Sequence, residues 1–247
     1  MNKQPLVLSI ETATLAGSIA LFEGTSLLAS SESDPASSHS NTLLADLDAM
    51  LTHAGVRMSE IELFAVASGP GSFTGLRIGL ATVKGLATTM GRPCMGVPTL
   101  EAIAHAAGES EGTVALLPAG RGEVFAQMLS VSADGNVVPL DEAVHISPAK
   151  AIERYLQNSI LVWAGPAAHS NFDLIREVGK RAGRQVFEGL EDVAQGTSDS
   201  WRIAQPTTNL ALHVAYLALS RVESAEQLSP IDLRAIYIRP SDAELKF

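Results

Sequence analysis

The run Gly69-Pro70-Gly71-Ser72-Phe73-Thr74-Gly75-Leu76-Arg77 stands between an apolar stretch and an amphipathic one. A glycine-rich turn at a helix N-terminus can aim backbone N–H groups at an anion, and the helix dipole favours negative charge there. The spacing is neither that of a Walker A loop nor that of a dinucleotide fingerprint, and the same glycines would equally serve a tight turn that lets strand and helix pack closely. Glu11 and Thr12 close the first strand-like run, in IETAT, where α/β proteins often place a functional carboxylate; a solvated strand-end glutamate is the plainer reading. The six histidines, at 39, 53, 105, 145, 169 and 213, form no His-x-x-x-His or His-Glu-x-x-His pair, so no helical metal site is expected. No Gly-x-Ser-x-Gly elbow exists, since Pro70 stands two residues before Ser72. Cys94, the single cysteine, excludes an internal disulfide framework and is expected as a small buried hydrophobe.

The helix expected over 75–90 is more informative. Leu76, Leu80, Val83, Ala87 and Met90 share one face, while Ile78, Gly85 and Leu86 lie broadly opposite, with Thr82 and Thr89 beside them. Apolar surface on two sides needs two partners: the chain's own sheet on one, and a second lobe or a second protein on the other. Complete burial within the chain explains the pattern equally well. Arg77 and Lys84, seven residues apart, are the only charges of that helix. An earlier helix, over 41–54, carries the stripe Leu43, Leu44, Leu47, Met50 and Leu51, with Ser40 or Asn41 as its cap and Gly55 as its stop.

The elements that must position these residues read as βββαβα, twice. Strands are expected at 6–10, 18–22, 27–30, 63–68 and 94–97, with a helix at 99–107; after 108–112 come strands at 113–117, 123–131, 137–144 and 160–164. Ser147-Pro148 opens a helix, and further helices cover 168–182 and 209–222. Three sequential strands followed by α/β crossovers imply an α/β protein with mixed sheets and flanking helices. The repetition implies an internal duplication: an N-terminal lobe at 1–107, a C-terminal lobe at 108–207, and a helix and tail at 208–247 that pack back on the N-terminal lobe.

The chain has 247 residues, 17 Lys+Arg against 27 Asp+Glu and a formal net charge of −10, with mean hydropathy +0.19. An autonomous nucleic-acid binder needs a basic surface, and this chain lacks that charge balance. Hydrophobic residues at 46% support a real core. No run of about 18 apolar residues spans a bilayer. The apolar stretch 6–22 reads as strands rather than a targeting segment, and a reducing cytoplasm is the expected location.

ASGPGSFTGLRIGLATVKGLATTMGRPCMGVPTLEAIA, at 67–104, resembles the signature segment of the bacterial TsaB family, also called YeaZ. LSIETAT at 8–14, His39-Ser40, GRGEVFAQM at 120–128 and IYIRPSDAE at 236–244 are similar too. The resemblance implies an actin-like/Hsp70-like superfold whose two lobes each rest on a ribonuclease-H-like core with a mixed five-stranded sheet. It further implies a part in installing threonylcarbamoyl on the adenosine beside the anticodon of tRNAs that read codons beginning with A. In that family such a chain is the non-catalytic dimer partner of the ATP-dependent catalytic paralogue TsaD; the P-loop ATPase TsaE joins them, tRNA is met only through the complex, and the chain alone forms a homodimer. By resemblance, the dimer helices are 41–54 and 75–90, with Leu43, Leu44, Leu47, Met50, Leu51, Leu76, Arg77, Leu80, Val83, Lys84 and Ala87 as interface residues. Residues 69–75 are the signature loop, and Glu11 and Thr12 are the cleft candidates.

The catalytic paralogue has metal-binding histidines separated by three residues and glycine motifs for nucleotide in its second lobe. Here Leu43 stands four positions after His39, and Gly165-Pro166 offers no double glycine, so neither metal, ATP nor any other cofactor is expected, and no catalytic residue. Glu11 replaces the family's usual aspartate, and Pro118 and Gly120 stand where an Asp-Ala-Arg sequence is usual. These departures bear on the cleft and leave the helices untouched. A small-molecule kinase or protease of the same superfold, or a homodimeric protein-binding module, are the alternatives; a kinase would need an aspartate-based metal site and an adenosine motif. If the Leu76–Ala87 stripe is the interface, a charge at Leu80 or Val83 abolishes pairing, seen as a lower mass in solution.

Overall fold

The computed structural model describes residues 4–33, 39–189, 199–222 and 229–238. The chain divides into two compact units, one running to Ala102 and taking back Thr208–Tyr237, the other comprising Ile103–Thr207. The division thus falls inside a helix, a few residues before the loop at 108–112 where the sequence reading places it.

In the first unit, β1 (Leu6–Glu11), β2 (Ser18–Glu23) and β3 (Ser26–Glu32) form an antiparallel meander. Then follow α1 (His39–Ala54), β4 (Leu63–Gly69), α2 (Phe73–Met90), β5 (Cys94–Pro98) and α3 (Thr99–Ala106). The sheet order is β3-β2-β1-β4-β5, with β1, β4 and β5 mutually parallel. Every residue of β1 and β4 is buried, as central strands covered on both faces require. One cover is α2, which lies against Val66 at Gly79. The other is α7 (Leu210–Val222), reached by Ser9. Ser9 aligns with Ala65 and Ile10 with Val66, so alternation puts the two helices on opposite faces.

The first turn of α7 is fixed by two buried serines. Ser9 Oγ donates to the Ala211 carbonyl at 2.8 Å, and the Ala211 N–H donates to Ser18 Oγ at 3.0 Å. The latter satisfies one of the N–H groups that a helix start leaves without a partner. Further along, Tyr216 packs edge-on against Phe22, and Arg221 pairs with Glu101 of α3.

The second unit contains β6 (Ser110–Gly120), β7 (Glu123–Val131), β8 (Val137–Pro139), β9 (Val144–Ile146), α4 (Pro148–Arg154), β10 (Leu161–Ala164), α5 (Pro166–Ser170), α6 (Phe172–Arg181), β11 (Gln185–Glu188) and β12 (Ser200–Ile203). Its sheet has seven strands, in the path β11-β12-β10-β6-β7-β8 with β9 also on β7, where five were expected. The strand expected over 137–144 is two strands, separated by a loop that Asp141 pins down. The helix expected over 168–182 is broken at Asn171, whose side chain turns back to the Ala167 carbonyl at 2.8 Å. The four-residue runs of β11 and β12 are too short to show a period. Of the helix starts, Ser147 caps α4 as its sequence demands, by accepting from Lys150 N, whereas α1 starts at His39, ahead of both expected caps. Among the described residues, no helix is long and apolar enough to cross a membrane.

Trp163 and Trp201, the chain's only tryptophans, meet edge-to-face at 5.2 Å in the core of this unit, and Tyr155 stands edge-on to Trp163. Asp141 organises the rim. One of its oxygens accepts from Met128 N at 2.8 Å, and the other accepts from Tyr155 Oη at 2.9 Å and Arg154 Nε at 3.1 Å. Burial first, and then this carboxylate, push the Tyr155 phenol well above its ordinary range. Asp141→Ala strands a backbone N–H and a phenol together and should destabilise this unit by about 2–3 kcal/mol. Urea unfolding followed by tryptophan fluorescence measures it, and an unchanged midpoint would refute the clasp.

Candidate functional site

The signature loop is built by a close approach between two backbones. β1 ends in Glu11, and the following Thr12 and Ala13 run across the start of α2. A Cβ at Gly75 would collide with the Thr12 carbonyl oxygen, one at Gly79 with Thr12 Oγ1, and one at Gly71 would lie 2.5 Å from the Ala13 carbonyl. Thr12, fully buried, donates its hydroxyl to the Gly75 carbonyl at 2.7 Å. Ser72 caps α2 by accepting from Gly75 N, which lets the helix begin at Phe73, two residues before its expected start. The Ser72 N–H itself goes to the Ala13 carbonyl at 2.8 Å, and the Leu76 N–H to the Ser72 carbonyl at 2.8 Å. Of the donors that a phosphate cradle would present, the Ser72 and Gly75 N–H groups are used by the chain itself, and the Thr12-Ala13 backbone lies against the glycines. Between the two readings of this loop, the structure favours the tight-turn one.

Glu11 is 1% exposed, so the reading of it as a solvated strand end is corrected. Its two carboxylate oxygens accept from the Thr14 N–H and the Thr14 hydroxyl, both at 2.6 Å. A buried carboxylate survives only when hydrogen-bonded, and the turn Glu11–Thr14 supplies those bonds locally. Glu11, Thr12 and the signature loop are thus brought together, as structural parts of one turn. Among the described residues, no group of three or more His, Cys, Asp and Glu is arranged to hold a metal ion. Burial raises the Cys94 thiol above its ordinary range, against the opposing pull of Lys84.

The structure decides which helix faces are core. Leu76, Leu80, Val83 and Ala87 of α2, with Leu43, Leu47, Met50 and Leu51 of α1, are all buried within the single chain. These eight residues, expected as interface, lie beneath the surface because α2 must cover β1, β4 and β5 and α1 must cover β3. A charge at Leu80 or Val83 would enter that core unpaired and disrupt the fold, rather than merely separate a dimer. Of the expected interface residues, Leu44 (66% exposed), Arg77 and Lys84 remain at the surface. The outer face of α2 is formed by Thr74, Arg77, Ala81, Gly85 and Thr88, all exposed, flanked by the half-buried Ile78 and Lys84. Gly85 has open space where a Cβ would stand. Beside Leu44, a hollow of about 400 Å³ is lined by Leu47, Leu51, Val56 and Met58, with Asp48 and Arg57 also in its wall.

The tail was expected to pack back on the N-terminal lobe, but its particular contacts were not foreseen. The segment 229–238 crosses the signature loop, with the Ile236 N–H donating to the Ser68 carbonyl at 2.7 Å and Tyr237 tilted against Phe73. Its resemblance to the family marked IYIRP as worth attention, yet no periodicity tied it to residues some 160 positions earlier.

The family model described as TsaD, tRNA N6-adenosine threonylcarbamoyltransferase, matches residues 33–174, more than half of the chain. The tRNA threonylcarbamoyladenosine biosynthesis protein TsaB of Haemophilus influenzae is 32% identical over 180 residues, covering 67% of this chain and 75% of that protein. The chain belongs to the TsaB family. The TsaB protein of Escherichia coli K12 is 37% identical over 122 residues, a match that spans about half of each chain, 48% of this one and 52% of that one. The solved structure of YeaZ from Pseudomonas aeruginosa shares the fold, with a TM-score of 0.74 at 21% identity over 95% of this chain and 100% of that one. This TsaB-family chain therefore has the two-lobed architecture that its signature segment implied.

Opposite outcomes are expected at two glycines of α2. Gly75→Ala forces Thr12 and α2 apart and should cost about 3 kcal/mol or more. Gly85→Ala meets nothing within the single chain and should stabilise the monomer by about 0.5–1 kcal/mol through helix propensity. Urea unfolding followed by far-ultraviolet circular dichroism distinguishes them, and equal effects at the two positions would contradict the packing described.

Proposed function

We propose that this chain is an accessory subunit for threonylcarbamoyl transfer to the adenosine beside the anticodon of tRNAs reading codons that begin with A. It docks the outer faces of α1 and α2 on a catalytic paralogue of the TsaD type, and contributes position rather than chemistry. The observation that supports this most directly is Gly85. An exposed glycine within a helix costs about 1 kcal/mol relative to alanine, and on a free surface nothing would offset that. With Ala81 and Thr88 beside it, the face lets another helix backbone approach closely. Leu44 and the hollow beside it on α1 supply the apolar contact that a stable interface needs at its centre.

A non-catalytic role is supported by the close packing of the signature loop on Thr12 and Ala13 and by Glu11, whose carboxylate is bound by Thr14. The net charge of −10 favours leaving phosphate contacts to partners, so tRNA is met through the complex. A P-loop ATPase of the TsaE type completes the assembly, no cofactor is held by this chain, and in the absence of the paralogue the same face joins two copies. Since tRNA is the target, the work is cytoplasmic.

Ala81→Arg places a long cation at the centre of the outer face without entering the core. It should leave the far-ultraviolet circular dichroism spectrum unchanged, abolish pairing with the catalytic paralogue in light scattering, and remove product from a reconstitution of tRNA, ATP, threonine, bicarbonate, the adenylate-forming enzyme and both partners, scored by mass spectrometry of digested nucleosides. Product that forms equally well when this chain is omitted would overturn the proposal.

A further inference from the structure

The segment 229–238 comes to lie at the beginning of the helix whose outer face is proposed to dock. Leu233, 6% exposed, packs on Gly96 of β5, where a Cβ would stand 2.9 Å from Leu233 Cδ1. Ile236 bonds the end of β4 through Ser68, and Gly69, at φ +116°, brings its backbone against the Ile236 carbonyl; a Cβ there would lie 2.5 Å from that oxygen. Tyr237 then covers Phe73, the first residue of α2, with ring centroids 5.4 Å apart at 41°. On Phe73 rests the Arg77 guanidinium, 3.8 Å from the ring centroid. The result is a cluster in which Tyr237 and Arg77 both lie against Phe73, at the edge of the outer face of α2.

Two facts point beyond packing. Among the described residues, no carboxylate forms an ion pair with Arg77, although the chain as a whole is acidic. Tyr237 is 49% exposed, so the cluster buries little apolar surface for the order it imposes. Its effect is to hold a long cation over an aromatic ring, where no carboxylate among the described residues pairs with it.

We infer that Tyr237 is a positioning residue for Arg77, and that the cluster presents the guanidinium to a carboxylate on the catalytic paralogue docked on α2. The inference rests on the docking face proposed above, with which the cluster is continuous. Ordering Arg77 in the free chain removes part of the entropy that binding would otherwise cost. The tail thereby tunes the affinity of a helix to which it is not joined in sequence.

The test measures binding of the intact chain to the catalytic paralogue by calorimetry, at low and high salt. Arg77→Gln should weaken binding roughly tenfold at low salt and flatten the salt dependence. Tyr237→Ala should act in the same direction, Tyr237→Phe should bind like the parent, and the double variant Tyr237→Ala/Arg77→Gln should bind no more weakly than Arg77→Gln alone. If Tyr237→Ala binds like the parent, or if the two substitutions add, the positioning role is refuted. Ala81→Arg keeps the two levels apart: binding that survives it removes the docking face and this inference together, whereas binding lost by Ala81→Arg but indifferent to Tyr237→Ala removes the inference alone.

Discussion

The first unit depends on one close contact, the Thr12-Ala13 backbone lying directly on the start of α2. A Cβ at Gly75 would occupy the space of the Thr12 carbonyl, and one at Gly79 that of the Thr12 hydroxyl. Contact at that distance fixes both the height of α2 over the sheet and its rotation about its own axis, since the glycine-bearing side must face β1. Leu76, Leu80, Val83 and Ala87 follow inward with it, and Ala81, Gly85 and Thr88 are left outside. The exposed face is therefore a consequence of the turn after β1.

The same contact settles what the loop can do chemically. A glycine-rich strand–helix junction binds anions when its N–H groups point into free space. Here Ser72 and Gly75 donate within the chain, the Thr12-Ala13 backbone lies against the glycines, and Glu11 occupies the neighbouring turn with Thr14 as its donor. A junction built this way suits rigidity more than ligand binding. The second unit secures its rim with similar economy: a single carboxylate, Asp141, holds a backbone N–H, a phenol and a guanidinium.

The mixed α/β class, the cap at Ser147, the burial of Cys94 and the stripe Leu76, Leu80, Val83 and Ala87 on one side of α2 were all legible in the chain's residues. Local chemistry dictates each of them: alternation, helical period, capping preference, and the rarity of a lone reactive thiol. The family signature was legible for a related reason, since the glycines at 71, 75 and 79 must recur wherever this close contact is made. The strands β11 and β12 and the division of 137–144 into β8 and β9 were not, because runs of three or four residues take their conformation from the strand beside them.

What the sequence by itself determined was that α2 has two usable faces and that Glu11 ends a strand. Only the tertiary structure decided which face is core, that Glu11 is buried, and that Tyr237 meets Phe73. Periodicity places residues on a helix relative to one another and says nothing of how the helix is turned toward its sheet. A carboxylate's burial depends on whether a turn three residues long supplies donors for both oxygens. The meeting of Tyr237 and Phe73 joins positions far apart in the chain, which no local pattern encodes and only the folded path of the backbone brings together.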